Sequence, residues 1–251
     1  MGAGLAGTMA ELLPGFSSDV QLKVQENVSS WAMHNPLTMQ TTNMSRNHMV
    51  RTIYQDSSIT SQEWTGIFAQ NHQSRVFYRS QDFVFNVAFN NANANTGTYA
   101  AGNGENLLAV LTGDGMTYLF LHNDQHQYAA SFFATVDYSR IPGVTAELQD
   151  MTNPPLTTGN NGPNPLQTMG ATLVMRDEIG GMQNHIGDIG ITVFRQNLNR
   201  PSRNTWNMNT TANNSWFMLD GMIIALGTNI TSTNPREVIT TPIQSRNLNK
   251  K

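Results

Sequence analysis

The side chains best equipped for chemistry lie in GNGENLLAVLTGDGMTYLF, residues 102–120. Asn103, Glu105 and Asn106 place amide and carboxylate groups in one short bend just ahead of an apolar run. A polar cluster at the rim of a sheet suits ligand binding, and it suits the satisfaction of loop backbone groups equally well. Residue types alone leave both roles open. Gly102 and Gly104 begin a dinucleotide-type fingerprint, but Leu107 stands where the third glycine belongs and strand-like sequence follows, which argues against a phosphate cradle. Further on, Gly113-Asp114-Gly115 between two apolar runs is hairpin-turn chemistry, because Gly and Asp tolerate positive φ.

The remaining reactive residues do not assemble. His122 and His126, in LHNDQHQY, have a spacing that suits a metal only on a helix, whereas their neighbours indicate a loop and no third ligand accompanies them. They read as surface histidines. His185 lies among glycines in GGMQNHIGDIG, where it can line a cleft, with no nucleophile pattern beside it. G-x-S-x-G, H-E-x-x-H and paired carboxylates at a recognisable catalytic spacing are absent from the sequence, and so is cysteine, which removes thiolate chemistry and disulfides together. The tryptophans Trp64, Trp206 and Trp216 are suited to stacking on sugars, although burial in a sandwich core is the commoner fate of such rings. The residues themselves therefore name no catalytic group, no metal site and no cofactor.

Composition bounds the partners. With 12% charged residues and a net charge of -3, the chain offers no basic surface for nucleic acid or anionic lipid. Its polar load is carried by Asn, Thr, Gln and Ser, which hydrogen-bond without titrating and suit turns, strand surfaces and sugar hydroxyls. The 251 residues, 39% of them apolar, suffice for one large β domain or two small ones. Asn-x-Ser/Thr sequons begin at Asn27, Asn43, Asn209, Asn213 and Asn229, a number that an Asn/Thr-rich chain supplies by chance. The opening MGAGLAGTMAELLPGF lacks the basic and continuous apolar regions of a signal peptide, and no apolar run reaches membrane-spanning length.

Two kinds of element must position these residues. After Pro14-Gly15, Ser17 or Ser18 is placed to cap a helix in which Val20, Val24, Val28 and Trp31 share one face, with Asn35-Pro36 as its end. One such helix cannot bury its stripe alone. From about Arg75 the period becomes two: Phe83, Phe85, Val87 and Phe89 alternate with Val84, Asn86 and Ala88, the pattern of a strand with one face in a core. Similar runs follow at NLLAVL, MTYLFL, ATLVM, GITVFRQ, SWFML, GMIIALGTNI and EVITTPI, each set off by turn residues. Short strands without interleaved helical periods indicate an antiparallel sandwich. Residues 150–168, DMTNPPLTTGNNGPNPLQT, read as a long surface loop.

Taken together, NGENLLAVLTGDGMTYLF, QYAASFFATVDYSRIPGVTAE and SWFMLDGMIIALGTNI resemble the central β-sandwich of family 8 polysaccharide lyases, the hyaluronate, chondroitin and xanthan lyases. That family carries NGEN-x3-TGDGMTYLY, W-x-T-x-D-x-x-R-x-PGTT and SWFMFDDEIVALG elements in this order. A fainter echo, RVFYRSQDFVF, stands where the family has DR-x-VHR before an aromatic strand. The resemblance spans roughly residues 75–248 and implies a mainly all-β fold: a large antiparallel sandwich of the super-sandwich, galactose-mutarotase-like type. Residues 1–40 are expected to form a short helical segment, a remnant of an α/α toroid, and residues 41–251 the sandwich domain.

The resemblance also implies eliminative chemistry, in which a base removes the C5 proton of a uronic acid and the 4-O-glycosidic bond breaks. The uronate carboxylate must then be neutralised, and a Tyr or His must reach the proton. In the family those groups stand on the toroid, so no catalytic residue is assigned here. Asn103 corresponds to the asparagine that reaches the cleft, with Glu105 and Asn106 beside it, which tips GNGENL towards a substrate-binding rim and leaves TGDGMTYLF as a structural hairpin. Departures from the family pattern are Ala100 for a glutamate, Tyr78 for the histidine of VHR, Asp220-Gly221-Met222 for DDE, and Gln244-Ser245-Arg246 for ENR. The expected partners are an acidic polysaccharide and a toroid in a longer or separate chain, in an extracellular setting, with no metal or other cofactor. The alternatives are a non-catalytic carbohydrate-binding or structural module, and a β-rich assembly protein without a sugar ligand.

Overall fold

The computed structural model describes residues 3–34, 36–40, 42–61, 65–89, 111–121, 128, 130–148, 169–175, 186–198, 208–234 and 239–245. The chain divides into two compact units, Met1–Trp64 and Thr65–Lys251.

The first unit holds α1 (Ala3–Leu12), α2 (Ser18–His34) and α3 (Met44–Gln55), with 3-10 turns at Leu13–Gly15 and Pro36–Met39. The backbone carbonyl of Ser17 accepts from Gln21 N at 2.8 Å as α2 begins, and Asp19 in the first turn suits the positive end of the helix dipole. As its spacing predicts, Val28 is buried, with Val24 and Trp31 packed against the same cluster; Val20 stays exposed. Asn43 caps α3, its Oδ1 accepting from Arg46 N at 3.1 Å.

The stripe of α2 is covered from within the chain. Ala6 and Ala10 of α1 and Val50 and Ile53 of α3 join Val28 and Ala32 in one core. Gly7 permits the approach, since a Cβ there would lie 2.8 Å from the Cβ of Arg46, and Arg46 pairs with Glu11 at 2.6 Å. The sequence pattern predicts one helix and a boundary at residue 40, whereas the compact helical unit runs to Trp64. The difference has a physical cause. The small residues of α1 and the polar sequence of α3, with Val50 and Ile53 its buried residues, leave little periodic signal.

The second unit contains β1 (Gly66–Gln70), β2 (Arg75–Arg79), β3 (Phe83–Phe89), β4 (Asp114–Leu121), α4 (Ala130–Thr135), β5 (Ala146–Glu147), β6 (Met169–Met175), β7 (Ile186–Gly187), β8 (Ile189–Asn197), β9 (Thr211–Leu219), β10 (Met222–Thr231) and β11 (Ile239–Thr240). All strand pairs are antiparallel. One five-stranded sheet runs β4-β3-β2-β1-β7, a four-stranded sheet runs β10-β9-β8-β6, and β11 pairs with β5. Ile67, Val76, Tyr78, Phe85, Val87 and Phe89 of the first sheet meet Phe194, Trp216 and Met218 of the second in a single core. This is a mainly antiparallel β-sandwich, as expected from the short alternating strands.

Strand β3 departs from the one-faced expectation. Asn86 and Ala88 are buried as well as Phe85, Val87 and Phe89. A second cluster, built on Met116, Phe132, Ile141 and Val144 with Tyr118 and Tyr128 beside it, lies about the strand that pairs with β3 through Ala88–Met116 and Asn86–Tyr118. The Asn86 amide tolerates burial by donating to Val76 O at 3.0 Å.

A polar network joins the sheets at their margin. Glu147 of β5 is fully buried, and its carboxylate accepts from Asn209 N at 3.1 and 2.9 Å and from the Ser232 hydroxyl. Nearby, Gln196 Nε2 donates to Thr145 O at 2.6 Å while its Oε1 accepts from Asn214 Nδ2 at 3.0 Å. Such satisfied groups are what permits polar side chains to enter a core. No described helix is long and apolar enough to cross a membrane.

Candidate functional site

The sequence motifs that stand far apart in the chain meet at one point. Gly115, from TGDGMTYLF, has φ +100 and Gly143, from SRIPGVTAE, has φ +82. A Cβ on Gly143 would lie 2.5 Å from the carbonyl oxygen of Gly115 and 2.7 Å from Thr117 Cγ2. A Cβ on Gly115 would lie 3.4 Å from Cη2 of Trp216, the tryptophan of SWFML. Thr117 N donates to Pro142 O at 2.9 Å across the same junction. Glycine is required at position 143 by the close backbone approach and at both positions by the left-handed conformation.

The fourth stretch, RVFYR, is tied in by Tyr78, whose hydroxyl accepts from Gly221 N at 2.6 Å. Asp220 and Gly221 both have positive φ, +43 and +73, the conformation of a tight hairpin turn joining β9 to β10. Where the family pattern has a histidine, Tyr78 is therefore a buried anchor for that turn. Trp216 is 3% exposed, so it is core and not a sugar platform.

Asp114 N donates to Leu111 O at 2.9 Å, closing a turn at the head of β4; Asp114 and Gly115 themselves fall within the strand, and residues 106–110, the other arm of the expected hairpin, lie outside the described residues. The chain between Phe89, which ends β3, and Leu111 carries Asn103, Glu105 and Asn106; these three residues lie outside the described residues, with Gly102, Gly104 and Ala100. The same holds for His122, His126, His185, Trp64, Trp206 and the loop 150–168. The residues that flank this stretch are placed: Phe89 pairs with Asp114, and Phe89 N donates to Ser74 O at 3.0 Å. Among the described residues no three His, Asp or Glu side chains gather at metal-binding distance.

One constellation was not legible as a site in the sequence. On the face of the five-stranded sheet opposite the inter-sheet core, Tyr118 and Phe120 project together from β4, with ring centroids 6.3 Å apart. Tyr128 meets both edge-on, at 5.2 and 4.8 Å, and Phe132 of α4 at 4.9 Å. The Tyr128 hydroxyl accepts from Leu119 N at 3.2 Å and from Gln244 Nε2 at 3.3 Å, so Gln244, the counterpart of the family's glutamate, belongs to this ledge. Arg75 of β2 lies beside Tyr118. The signal available was the alternation in MTYLFL, which reads as core on one face and leaves the other face unassigned.

Burial dominates the electrostatics of the ledge. Burial pushes the Tyr118 phenol above its ordinary value, Arg75 pulls it down, and Tyr128 and Tyr138 push it up again; the net direction is upward. Burial likewise raises Tyr138. For Arg75, burial lowers the guanidinium and Tyr118 opposes it. A phenol is already protonated at neutral pH at its free value of about 10, and an upward shift keeps it so.

Comparison with known proteins identifies the architecture. Residues 65–251 match the family described as polysaccharide lyase family 8, super-sandwich domain. The chain is 30% identical over 167 residues to the polysaccharide lyase 8 family protein HylA of Enterococcus faecalis, covering 66% of this chain and 10% of that protein. It is 26% identical over 238 residues to the hyaluronate lyase HylB of the same organism, covering 92% of this chain and 22% of the relative. Among solved structures, the Streptomyces coelicolor chondroitin AC lyase in complex with chondroitin sulphate shares the fold with a TM-score of 0.78 at 22% identity, over 98% of this chain and 31% of that one. The Paenibacillus xanthan lyase gives a TM-score of 0.70 at 24% identity, over 92% of this chain and 20% of that one. The chain thus spans only a tenth to about a fifth of the length of these curated relatives. With the junction of Gly115, Gly143 and Trp216 built from the motifs that the family shares, the chain belongs to polysaccharide lyase family 8, and residues 65–251 are its super-sandwich domain.

Proposed function

We propose that this chain supplies the substrate-supporting sandwich of a lyase that cleaves uronic-acid-containing glycans by β-elimination. Proton abstraction is assigned to groups on helices beyond this sandwich, those of an α/α toroid in a longer or partner chain; the helical unit Met1–Trp64 is read as part of such a toroid. In this reading Asn103 offers an amide to the uronate carboxylate, flanked by Glu105 and Asn106, and the C5 proton becomes acidic enough for removal elsewhere. The substrate is an acidic polysaccharide of the hyaluronan, chondroitin or xanthan type, met outside the cell, and the reaction uses no metal or other cofactor.

The observation that supports this reading is the match of residues 65–251 to the super-sandwich domain of polysaccharide lyase family 8, in a chain that covers 22% of a hyaluronate lyase relative. A second reading, a carbohydrate-binding module without any associated activity, is favoured by Tyr78, which is committed to Gly221 where relatives of the family pattern carry a histidine.

The test is incubation of the chain alone with hyaluronan, chondroitin sulfate and xanthan, following the ultraviolet absorbance of the unsaturated product. We expect binding without turnover, and binding reduced in Asn103→Ala. Clear turnover by the chain alone overturns the supporting role. Turnover restored only by an added helical toroid favours the lyase reading over the binding module.

A further inference from the structure

The outer face of the four-stranded sheet is divided by polarity. Near the β9–β10 turn it is apolar, with Ile189, Val193, Met222, Ile224 and Leu226 exposed. At the other end of the same strands the side chains become polar around a cavity of about 400 Å3, which falls within the range of small-ligand sites. Strand register explains the gathering. Arg195 of β8 lies opposite Asn213 of β9, and Asn197 lies opposite Thr211, so alternation projects these side chains to one face.

The third strand contributes through an irregularity. Register shifts between Thr228 and Thr231 of β10, and Asn229 takes φ +49, a left-handed conformation that is uncommon for a residue with a side chain. Asn229 lines the cavity as a result. Bulges of this kind re-aim side chains, and here an amide is aimed at a groove that already holds two others. Beside it, Thr211 and Thr231 share a hydroxyl contact at 2.8 Å. The floor is held by Gln196, which turns inward and is fixed by its bonds with Thr145 and Asn214.

The chemistry of the lining is selective. Arg195 brings the charge, no acid lines the cavity, and among the described residues no carboxylate lies at ion-pair distance from Arg195. A guanidinium ringed by neutral amides and hydroxyls matches an anionic group carried on a polyhydroxylated body, because the cation takes the anion and the amides take the hydroxyls. We propose that this groove is a binding site for an acidic saccharide, built from residues other than Asn103, Glu105 and Asn106. Arg195 takes the carboxylate or sulfate, and Asn197, Asn213 and Asn229 take ring hydroxyls. The choice of an acidic glycan rests on the proposed function above; the location of the site does not.

The experiment titrates the full chain with labelled hyaluronan and chondroitin sulfate hexasaccharides, which separate carboxylate from sulfate recognition, and with cellohexaose as a neutral control. Arg195→Gln is expected to weaken binding of at least one acidic hexasaccharide about tenfold, with an unchanged melting temperature because the side chain is exposed. Ligand should also slow deuterium exchange in the β9–β10 hairpin of the wild type. An affinity changed by less than about twofold in Arg195→Gln overturns the proposal. Asn103→Ala is measured in parallel. Loss of binding only in Asn103→Ala upholds the rim and removes the groove, loss only in Arg195→Gln does the reverse, and absence of wild-type binding to any acidic probe removes both.

Discussion

Tyr118 shows how burial and a neighbouring cation compete at one side chain. Its phenol is half-buried beside Arg75 and against the edge of Tyr128, and burial outweighs the cation in setting its pKa above the ordinary phenol value. The sign of the linkage follows. A folded-state pKa above the unfolded one favours the neutral phenol, so this contribution to stability is complete below the unfolded value, about 10, and is lost as pH rises through the folded value. A spectrophotometric titration should therefore show a tyrosine fraction ionising later than free tyrosine, and Tyr118→Phe should remove part of that late fraction. If every tyrosine ionised together at the free value, the dominance of burial at Tyr118 would be wrong.

At the scale of elements, the family motifs are held together by backbone contact and not by a shared ligand. The strand head at Gly115, the turn at Gly143 and the ring of Trp216 on β9 converge within van der Waals distance. Gly143→Ala forces a methyl to 2.5 Å from a carbonyl oxygen in a left-handed conformation. Adding the conformational cost to that of overpacking gives about 2–5 kcal/mol of destabilisation. Gly221→Ala, with φ +73 but open space around it, should cost only the conformational part, about 1–2 kcal/mol. Urea unfolding of the two variants checks the difference. Equal losses would mean that the close approach at residue 143 relaxes without penalty.

For the whole molecule, each compact unit carries its own apolar core. Ala6, Val28, Val50 and their neighbours belong to residues 1–64, while the clusters around Phe89 and Met116 belong to residues 65–251. Residues 65–251 expressed alone are therefore expected to keep a β-type far-ultraviolet circular dichroism spectrum and a cooperative melt. A molten, non-cooperative product would show that the helical unit is needed for the sandwich to fold.

Much of this architecture is written locally. Apolar alternation in DFVFNVAF, GITVFRQ and SWFML placed β3, β8 and β9, and the Ser17 and Pro36 signals bounded α2, because side-chain period and capping act over a few residues. Three motifs in fixed order were enough to indicate the family. What local pattern could not contain is what covers a second face. Burial of Asn86 and Ala88, the ledge of Tyr118 and Tyr128, and the helices α1 and α3 all depend on partners distant in sequence. The groove at Arg195 is likewise set by register and by one bulge in β10, which bring residues from β8, β9 and β10 into a single surface. Periodicity says which way a side chain points; only tertiary packing decides what it meets there.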